Sequence, residues 1–327
     1  MRLIGAILIG AGVVAVVMVL ALVQGGSPND GAMVISNAVE GSDYVRLRTS
    51  VTVRGESSDG ERPTFRPEGG AVFGDEVVFL DSTVGSLVTL TFDGSIVEIA
   101  LDLPEGAGVA KPQFTHIAAT LTGTLLVADM TNGQIWQYSR EGRVLGAFLD
   151  GDERRASGIS KPTGVTIDAQ GRVLVADAGD QTIKIFNKAG KLLQSFGGAG
   201  FSPGRLDHPT DVAVGPDGLT YVADSNNRRV QAFDETGRSV RSFTQTNSAL
   251  GLLLPRSLAL DESGRLHVVD AFAGRVWVFG EEGAFLGSYG SSGAVEERLT
   301  LPEGVVIAGE RVVVGDRGGG LLRVYGP

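Results

Sequence analysis

The chain contains no cysteine, which excludes disulfides, thiolate catalysis and cysteine-held metal. Histidine is scarce, with three in 327 residues. A catalytic zinc centre wants about three protein ligands and one open position, so little material is left for one. No basic stripe and no interleaving of basic and aromatic residues occurs, and the net charge is −10 with a pI near 4.9. Nucleic acid is therefore not expected as a partner. The acidity itself serves solubility. The letters Gly-x-Ser-x-Gly occur at Gly200–Gly204, but inside the Gly-rich loop Phe196–Gly204 and not in the strand-to-helix turn that exposes a nucleophilic serine.

What the chain has in quantity is glycine, 48 of 327 residues, about twice ordinary usage. The stretch His208–Thr244 shows why: HPTDVAVGPDGLTYVADSNNRRVQAFDETGRSVRSFT. Four short apolar runs, Asp211–Val214, Leu219–Ala223, Val230–Phe233 and Ser239–Phe243, are separated by Pro216-Asp217-Gly218, Asp224–Asn227 and Glu235-Thr236-Gly237. Runs of this length with Gly, Pro, Asn and Asp between them predict an antiparallel meander. One such sheet cannot cover both of its faces.

The chain supplies neighbours by repetition. The Asp that closes the second run recurs as Asp81, Asp129, Asp177, Asp224, Asp270 and Asp316, at steps of 48, 48, 47, 46 and 46 residues. Pro67, Pro112, Pro162, Pro209, Pro255 and Pro302 start the units, and Leu90, Tyr138, Phe186, Phe233, Phe279 and Tyr325 close their third strands. A four-strand unit of this length, repeated six times, predicts an all-β, six-bladed β-propeller. The Pro-x-(Gly/Asp)-Val-x-(Ile/Val) start, the Val-Ala-Asp centre, the (Arg/Ile)-x-x-Phe third strand and the loop Phe196–Gly204, FGGAGFSPG, resemble the NHL repeat. The resemblance covers roughly residues 64–327 and is specific as to fold.

Before the repeats, Leu3–Val23 is free of charge. As a helix these residues reach about 31 Å, close to the thickness of a bilayer core. Arg2 precedes them and no basic residue follows until Arg46. This bias predicts an N-terminal transmembrane helix over residues 1–24, with the rest of the chain on the extracytoplasmic side of the cell membrane. An uncleaved single-pass signal anchor and a cleaved signal peptide both fit, and Val23-Gln24-Gly25 is a poor cleavage site. Residues 25–42, rich in Gly, Ser, Asn and Asp, read as a flexible linker. Residues 43–327 form the propeller. The alternating stretch Tyr44–Arg54, YVRLRTSVTVR, predicts a half-buried strand. The last unit has three strands, so this one is expected to complete the last blade and remove two exposed edges. The alternative places it against blade 1.

The loops that link successive blades, Pro104–Lys111, Leu149–Lys161, Gly197–His208, Thr244–Leu254 and Gly290–Leu301, share one face with the six Asp residues. Loops on a rigid frame carry binding residues, so this face and the channel mouth are the expected site. The six Asp are spread around the ring and are expected to accept backbone N–H groups in the turns that follow them, with Arg229 and Arg275 as possible ion-pair partners. Two residues after each blade start, alignment places Gly69, His116, Gly164, Asp211, Ser257 and Gly304. The polar three, His116, Asp211 and Ser257, are ligand-binding candidates, and their residue types also allow a hydrolytic triad. His267, in the middle of a second strand, reads as a buried side chain. Lys111, Lys161, Arg205, His208 and Arg256 lie at inner-strand starts or on linking loops. Together they would form a positive spot suited to an anionic ligand or an acidic partner segment.

The resemblance implies two classes of function. One is a non-enzymatic, membrane-anchored module that binds or scaffolds a protein, peptide or glycan on the loop-rich face, with no cofactor; NHL propellers of this sort are similar to extracellular sensor domains of receptor kinases. The other is a metal-dependent lyase or lactone hydrolase. The amidating lyase of this family holds zinc with histidines near the axis, and gluconolactonase-like propellers hold calcium with a Glu, Asn and Asp set. Only His116 and Asp211 match such positions here.

Overall fold

The computed structural model describes residues 33–34, 46–52, 65–74, 76–91, 95–105, 110–149, 158–244, 251–291 and 298–326. The expected membrane helix lies outside the described residues, as does most of the linker. Among the described residues no helix is long and apolar enough to cross a membrane.

Six antiparallel sheets make the six blades. Blade 1 is Pro67–Phe73, Glu76–Asp81, Ser86–Thr91 and Ile96–Ala100. Blade 2 is Phe114–Ala119, Leu125–Asp129, Gln134–Tyr138 and Val144–Ala147. Blade 3 is Pro162–Ile167, Val173–Asp177, Thr182–Phe186 and Leu192–Gly197. Blade 4 is Pro209–Val214, Thr220–Asp224, Arg229–Phe233 and Ser239–Phe243. Blade 5 is Pro255–Leu260, Leu266–Asp270, Arg275–Phe279 and Phe285–Tyr289. Blade 6 contributes Pro302–Ala308, Arg311–Asp316 and Leu321–Gly326. Each inner strand touches the inner strands of the two neighbouring blades, so the ring is closed.

Blade 2 starts at Phe114, not at Pro112: Phe114 pairs with Asp129 as Pro162 pairs with Asp177. The two extra residues of this unit lie before the strand, and Phe114 takes the position that proline holds elsewhere. The strand Arg46–Thr52 pairs antiparallel with Leu321–Gly326 at the outer edge of blade 6, with Leu47 opposite Tyr325 and Thr52 opposite Leu321. Met33–Val34, inside the stretch that composition reads as linker, adds a short fifth strand opposite Val51 and Ser50.

The core lies between blades, not within them. Six apolar clusters occupy the six interblade spaces. In the space between blades 6 and 1, Phe65, Val77 and Phe79 meet Val306, Val313 and Leu322. Second strands are covered on both faces, and so Val173–Asp177, Thr220–Asp224 and Leu266–Asp270 are buried throughout and read as unbroken apolar runs. The outer strand Leu192–Gly197 alternates exposure because one face meets water. In each of blades 3, 4 and 5 one hairpin uses a short Asp-x-x-Gly-Arg turn. In one, the Asp261 carboxylate accepts the N–H groups of Ser263 and Arg265 at 3.0 and 2.9 Å. Gly264 there takes φ +78°, a conformation open to glycine at little steric strain.

The six Asp residues are wholly buried and do more than stabilise the turns after them. Asp177 accepts Gly179 N at 2.9 Å in its turn and also Lys161 N at 2.8 Å, just before the inner strand. Arg66 N on Asp81, Gln113 N on Asp129, Asp207 N on Asp224, Leu254 N on Asp270 and Leu301 N on Asp316 repeat the second bond at 2.7–3.2 Å. Each carboxylate therefore clamps the end of a linking loop to its blade. A donor seven residues later completes several clamps: Trp136, Lys184, Gln231 and Trp277 reach their Asp at 3.0–3.1 Å. Arg229 pairs with Asp224 at 2.7 Å as expected. Arg275 does not pair with Asp270. Trp277 takes that oxygen, and the Arg275 guanidinium lies over the Trp277 ring, 4.8 Å from its centre.

Candidate functional site

Because every inner strand starts at the same height, residues at equal offsets from the start form rings around the axis. The second position after each start holds Gly69, His116, Gly164, Asp211, Ser257 and Gly304, each paired with the residue just before the clamping Asp. The three polar members converge from blades 2, 4 and 5. His116 Nε2 lies 3.2 Å from Asp211 Oδ1, and Ser257 Oγ donates to Asp211 Oδ2 at 3.0 Å. Val212 N and Leu258 N donate to the same carboxylate at 2.7 and 3.0 Å. Ser257 Oγ in turn accepts the N–H of Val305 in blade 6 at 3.3 Å.

The two glycines facing this cluster have no room for a side chain. A Cβ on Gly69 would lie 2.6 Å from the His116 ring, and one on Gly164 would lie 2.8 Å from the Asp211 Cα. His116, Asp211 and Ser257 are 8%, 2% and 2% exposed. They form a floor across the channel.

This arrangement has the residue types of a hydrolytic triad in the wrong order. A triad places the imidazole between carboxylate and hydroxyl; here Asp211 stands in the middle. The serine proton points at a carboxylate, and no imidazole is bonded to Ser257. His116 Nδ1 donates to the Ile117 carbonyl at 3.0 Å, and a nitrogen facing a carboxylate must also donate, so the ring is an imidazolium. Burial disfavours that charge, but the Asp211 carboxylate and its hydrogen bond outweigh it. The Ile117 carbonyl and the charge of Glu68 add to this, and the His116 pKa is raised. Neither ring nitrogen keeps a lone pair for a metal ion, and both oxygens of Asp211 are already engaged. Among the described residues no group of three His, Asp or Glu side chains is placed to hold a metal.

Past the floor, toward the end of the channel away from the linking loops, is a cavity of about 460 Å³. Ala71, Ala118, Ala213, Ala259 and Val306 line it together with His116, Thr166, Asp168 and Asp211.

On the linking-loop side the floor is ringed by charge. The position after each blade start holds Glu68, Thr115, Thr163, Thr210, Arg256 and Glu303. The threonines are structural: Thr115, Thr163 and Thr210 donate to the carbonyls of Pro162, Pro209 and Pro255 at 3.0, 2.7 and 3.2 Å, tying blade to blade. Glu68 and Glu303 sit under three guanidiniums. Arg66 pairs with Glu68 and lies 3.6 Å from Glu303, Arg256 is 3.7 Å from Glu68, and Arg317 is 3.1 Å from Glu303. Burial and the neighbouring Glu303 raise the pKa of Glu68, against the pull of Arg66, Arg256 and Ser82.

Of the sequence candidates on this face, Lys111, Lys161 and Arg205 are exposed, and Arg256 and His208 are half-buried. Burial lowers the His208 pKa first, and the positive charges of Arg256 and Lys161 lower it further against Asp207. His208 is therefore the neutral member of a positive arc that spans blades 3 to 5. Arg205 Nη1 donates to the Gly197 carbonyl at 2.9 Å, and among the described residues no carboxylate pairs with Lys161 or Arg205. Arg66, Glu68, Glu303 and Arg317 were not singled out by the sequence. Their shared offsets from the blade starts and the turn after Asp316 were the available signal. His267 is buried as expected, with Nδ1 3.0 Å from Tyr289 Oη.

Comparison with known proteins bears on the family. The NHL repeat model matches residues 160–186 and 206–233, within blades 3 and 4. The mouse protein named NHL-repeat-containing protein 4 is 28% identical over 132 residues, which cover 38% of this chain and 80% of that one. Among solved structures, a gluconolactonase of Xanthomonas campestris is 16% identical with a TM-score of 0.65, covering 90% of this chain and 99% of that one. The virginiamycin B lyase of Staphylococcus aureus is 13% identical with a TM-score of 0.58, covering 91% and 95%. At such identities the two enzymes share the fold alone. Repeat match, curated relative and six closed blades agree: this chain is a six-bladed β-propeller that carries NHL repeats in blades 3 and 4.

Proposed function

We propose that this propeller is a non-enzymatic binding or scaffold module. In this reading the N-terminal segment holds it to the cell membrane, and the linking-loop face meets a protein, peptide or glycan on the extracytoplasmic side. The observation that carries the reading is the saturated floor. Its carboxylate accepts four donors, its imidazolium has no free lone pair, and its hydroxyl hydrogen is directed at the carboxylate. A side chain already satisfied in this way holds the ring together and offers a substrate nothing. The unpaired chemistry lies above it, on the loops.

The competing reading is a metal-dependent lyase or lactone hydrolase at the channel mouth. It needs carboxylates with net negative charge to spare. Glu68 and Glu303 instead lie beneath Arg66, Arg256 and Arg317, an arrangement that repels a cation. Two measurements test the proposal. A pull-down with the full-length protein should retain partners that a Lys161→Glu, Arg205→Glu variant loses. Metal analysis of the purified protein should show no zinc or calcium that depends on His116 or Asp211. Stoichiometric metal lost on His116→Ala or Asp211→Ala would replace the binding module with the enzyme. For the membrane placement, protease added to intact cells should digest the propeller; protection until lysis would put it on the other side.

A further inference from the structure

The inference rests on the binding reading above and names the partner. On the linking-loop face, segments of blades 3 to 5 are bonded into one continuous surface. Asn227 Nδ2 donates to the Gly200 carbonyl at 2.9 Å, and Asn226 N donates to the Asp207 carbonyl at 3.1 Å. Arg228 Nε donates to the Leu252 carbonyl at 3.1 Å, and Ala271 N donates to the Leu254 carbonyl at 3.1 Å. This chain of bonds runs from the loop that carries Phe201 to the turn that carries Phe272. Phe201 is 84% exposed and Phe272 is 71% exposed.

A single phenyl ring in water needs no explanation. Two on one bonded surface, one of them in the loop that also carries Arg205, have the composition of an interface core, where aromatics and Arg are enriched. The cations are Lys161 and Arg205, without a carboxylate partner among the described residues, and Arg256 at the mouth. They share this face with the exposed Asp207, on a chain whose net charge is −10. Local potential, not net charge, steers a partner to a patch.

We infer that this face takes an acidic peptide segment, whose carboxylates meet Lys161, Arg205 and Arg256 and whose apolar side chains cover Phe201 and Phe272. Phenyl rings have no hydrogen-bonding edge. Covering two of them needs apolar groups, which a peptide carries on alternate residues and a polyanionic glycan or phosphate chain lacks.

The test is selection of a displayed library of random dodecapeptides on the full-length protein in detergent micelles. Peptides rich in Asp and Glu with interspersed Leu, Phe or Trp should be enriched. A synthetic consensus peptide should lose at least about tenfold in affinity to the Phe201→Ala, Phe272→Ala variant, as expected for interface anchors. It should lose a similar factor to Lys161→Glu, Arg205→Glu, with strong weakening by salt. Both variants should keep the wild-type melting temperature, because all four side chains are exposed. Neutral or basic peptides that these variants abolish would overturn the acidic partner and leave loop-face binding intact. Peptides indifferent to both variants would overturn the partner and the binding face together. If heparin binds and is weakened by the charge variant but not by the phenylalanine variant, a polyanionic chain replaces the peptide.

Discussion

Asp211 is the residue on which the ring's centre depends, because one carboxylate from blade 4 receives groups from blades 2 and 5. Removing one partner of a buried charged pair leaves the other uncompensated, at about 3–5 kcal/mol. Asp211→Ala should therefore lower stability by that amount in urea unfolding, and a loss below about 1 kcal/mol would show the floor to be slack. His116 adds a pH signature. Its folded pKa is raised above the ordinary value of 6.5, so folding favours the protonated ring. The resulting stability is fully present below the unfolded pKa and is lost as pH rises through the folded pKa. The unfolding free energies of the wild type and His116→Gln, which cannot take up this proton, should differ most in mild acid and converge as pH rises past that folded value. A difference that grew with pH would mean that the ring is neutral in the folded protein. The three polar residues were legible as a set, because alignment on the recurring Asp places them at one offset. Their connectivity was not. Nothing in spacings of 95 and 46 residues says that the carboxylate, not the imidazole, stands in the middle.

At the scale of strands and turns, legibility followed from how local the cause was. The six Asp residues were visible because each must be fully buried at the end of a strand and accept the same backbone bonds, and that demand fixes a residue type at a fixed position. Their clamping of the linking loops was not visible, since the loop donor is a backbone N–H and any residue supplies one. Proline was a weaker marker than Asp. Its place at a strand start asks only for a fitting φ and no essential N–H donor, and Phe114 serves in blade 2. The arginine and glutamate rim was hidden for another reason: side chains at one offset differ from blade to blade and gain meaning only when six starts face each other. The inner strands also pack so closely that glycine becomes a requirement of the neighbouring strand. A Cβ on Gly164 would meet the Asp211 Cα at 2.8 Å and the Thr210 carbonyl at 3.0 Å, and backbone on a paired strand cannot swing away as a flexible side chain does. Gly164→Ala should cost about 1–3 kcal/mol, the usual penalty of overpacking. A melting temperature equal to wild type would show that blades 3 and 4 can separate without loss.

The propeller is a ring of sheets whose cores lie between neighbours, so its stability depends on closure. Blades 6 and 1 share a cluster containing Phe65, Phe79, Val306 and Leu322, and their meeting joins segments some 250 residues apart in sequence. Bringing ends that distant together costs about 5 kcal/mol of chain entropy, since the penalty grows with the logarithm of the loop length. The strand Arg46–Thr52 helps to offset it by pairing with Leu321–Gly326. Without it, the last strand would present an unpaired edge, with Val324 and Tyr325 buried beside it, and such edges recruit other chains. A variant beginning at residue 55 should melt well below one beginning at residue 44, and should self-associate on a sizing column as protein concentration rises. If the two melt together as monomers, the ring is closed by the interblade core alone, and the pairing with Leu321–Gly326 contributes nothing to holding it shut.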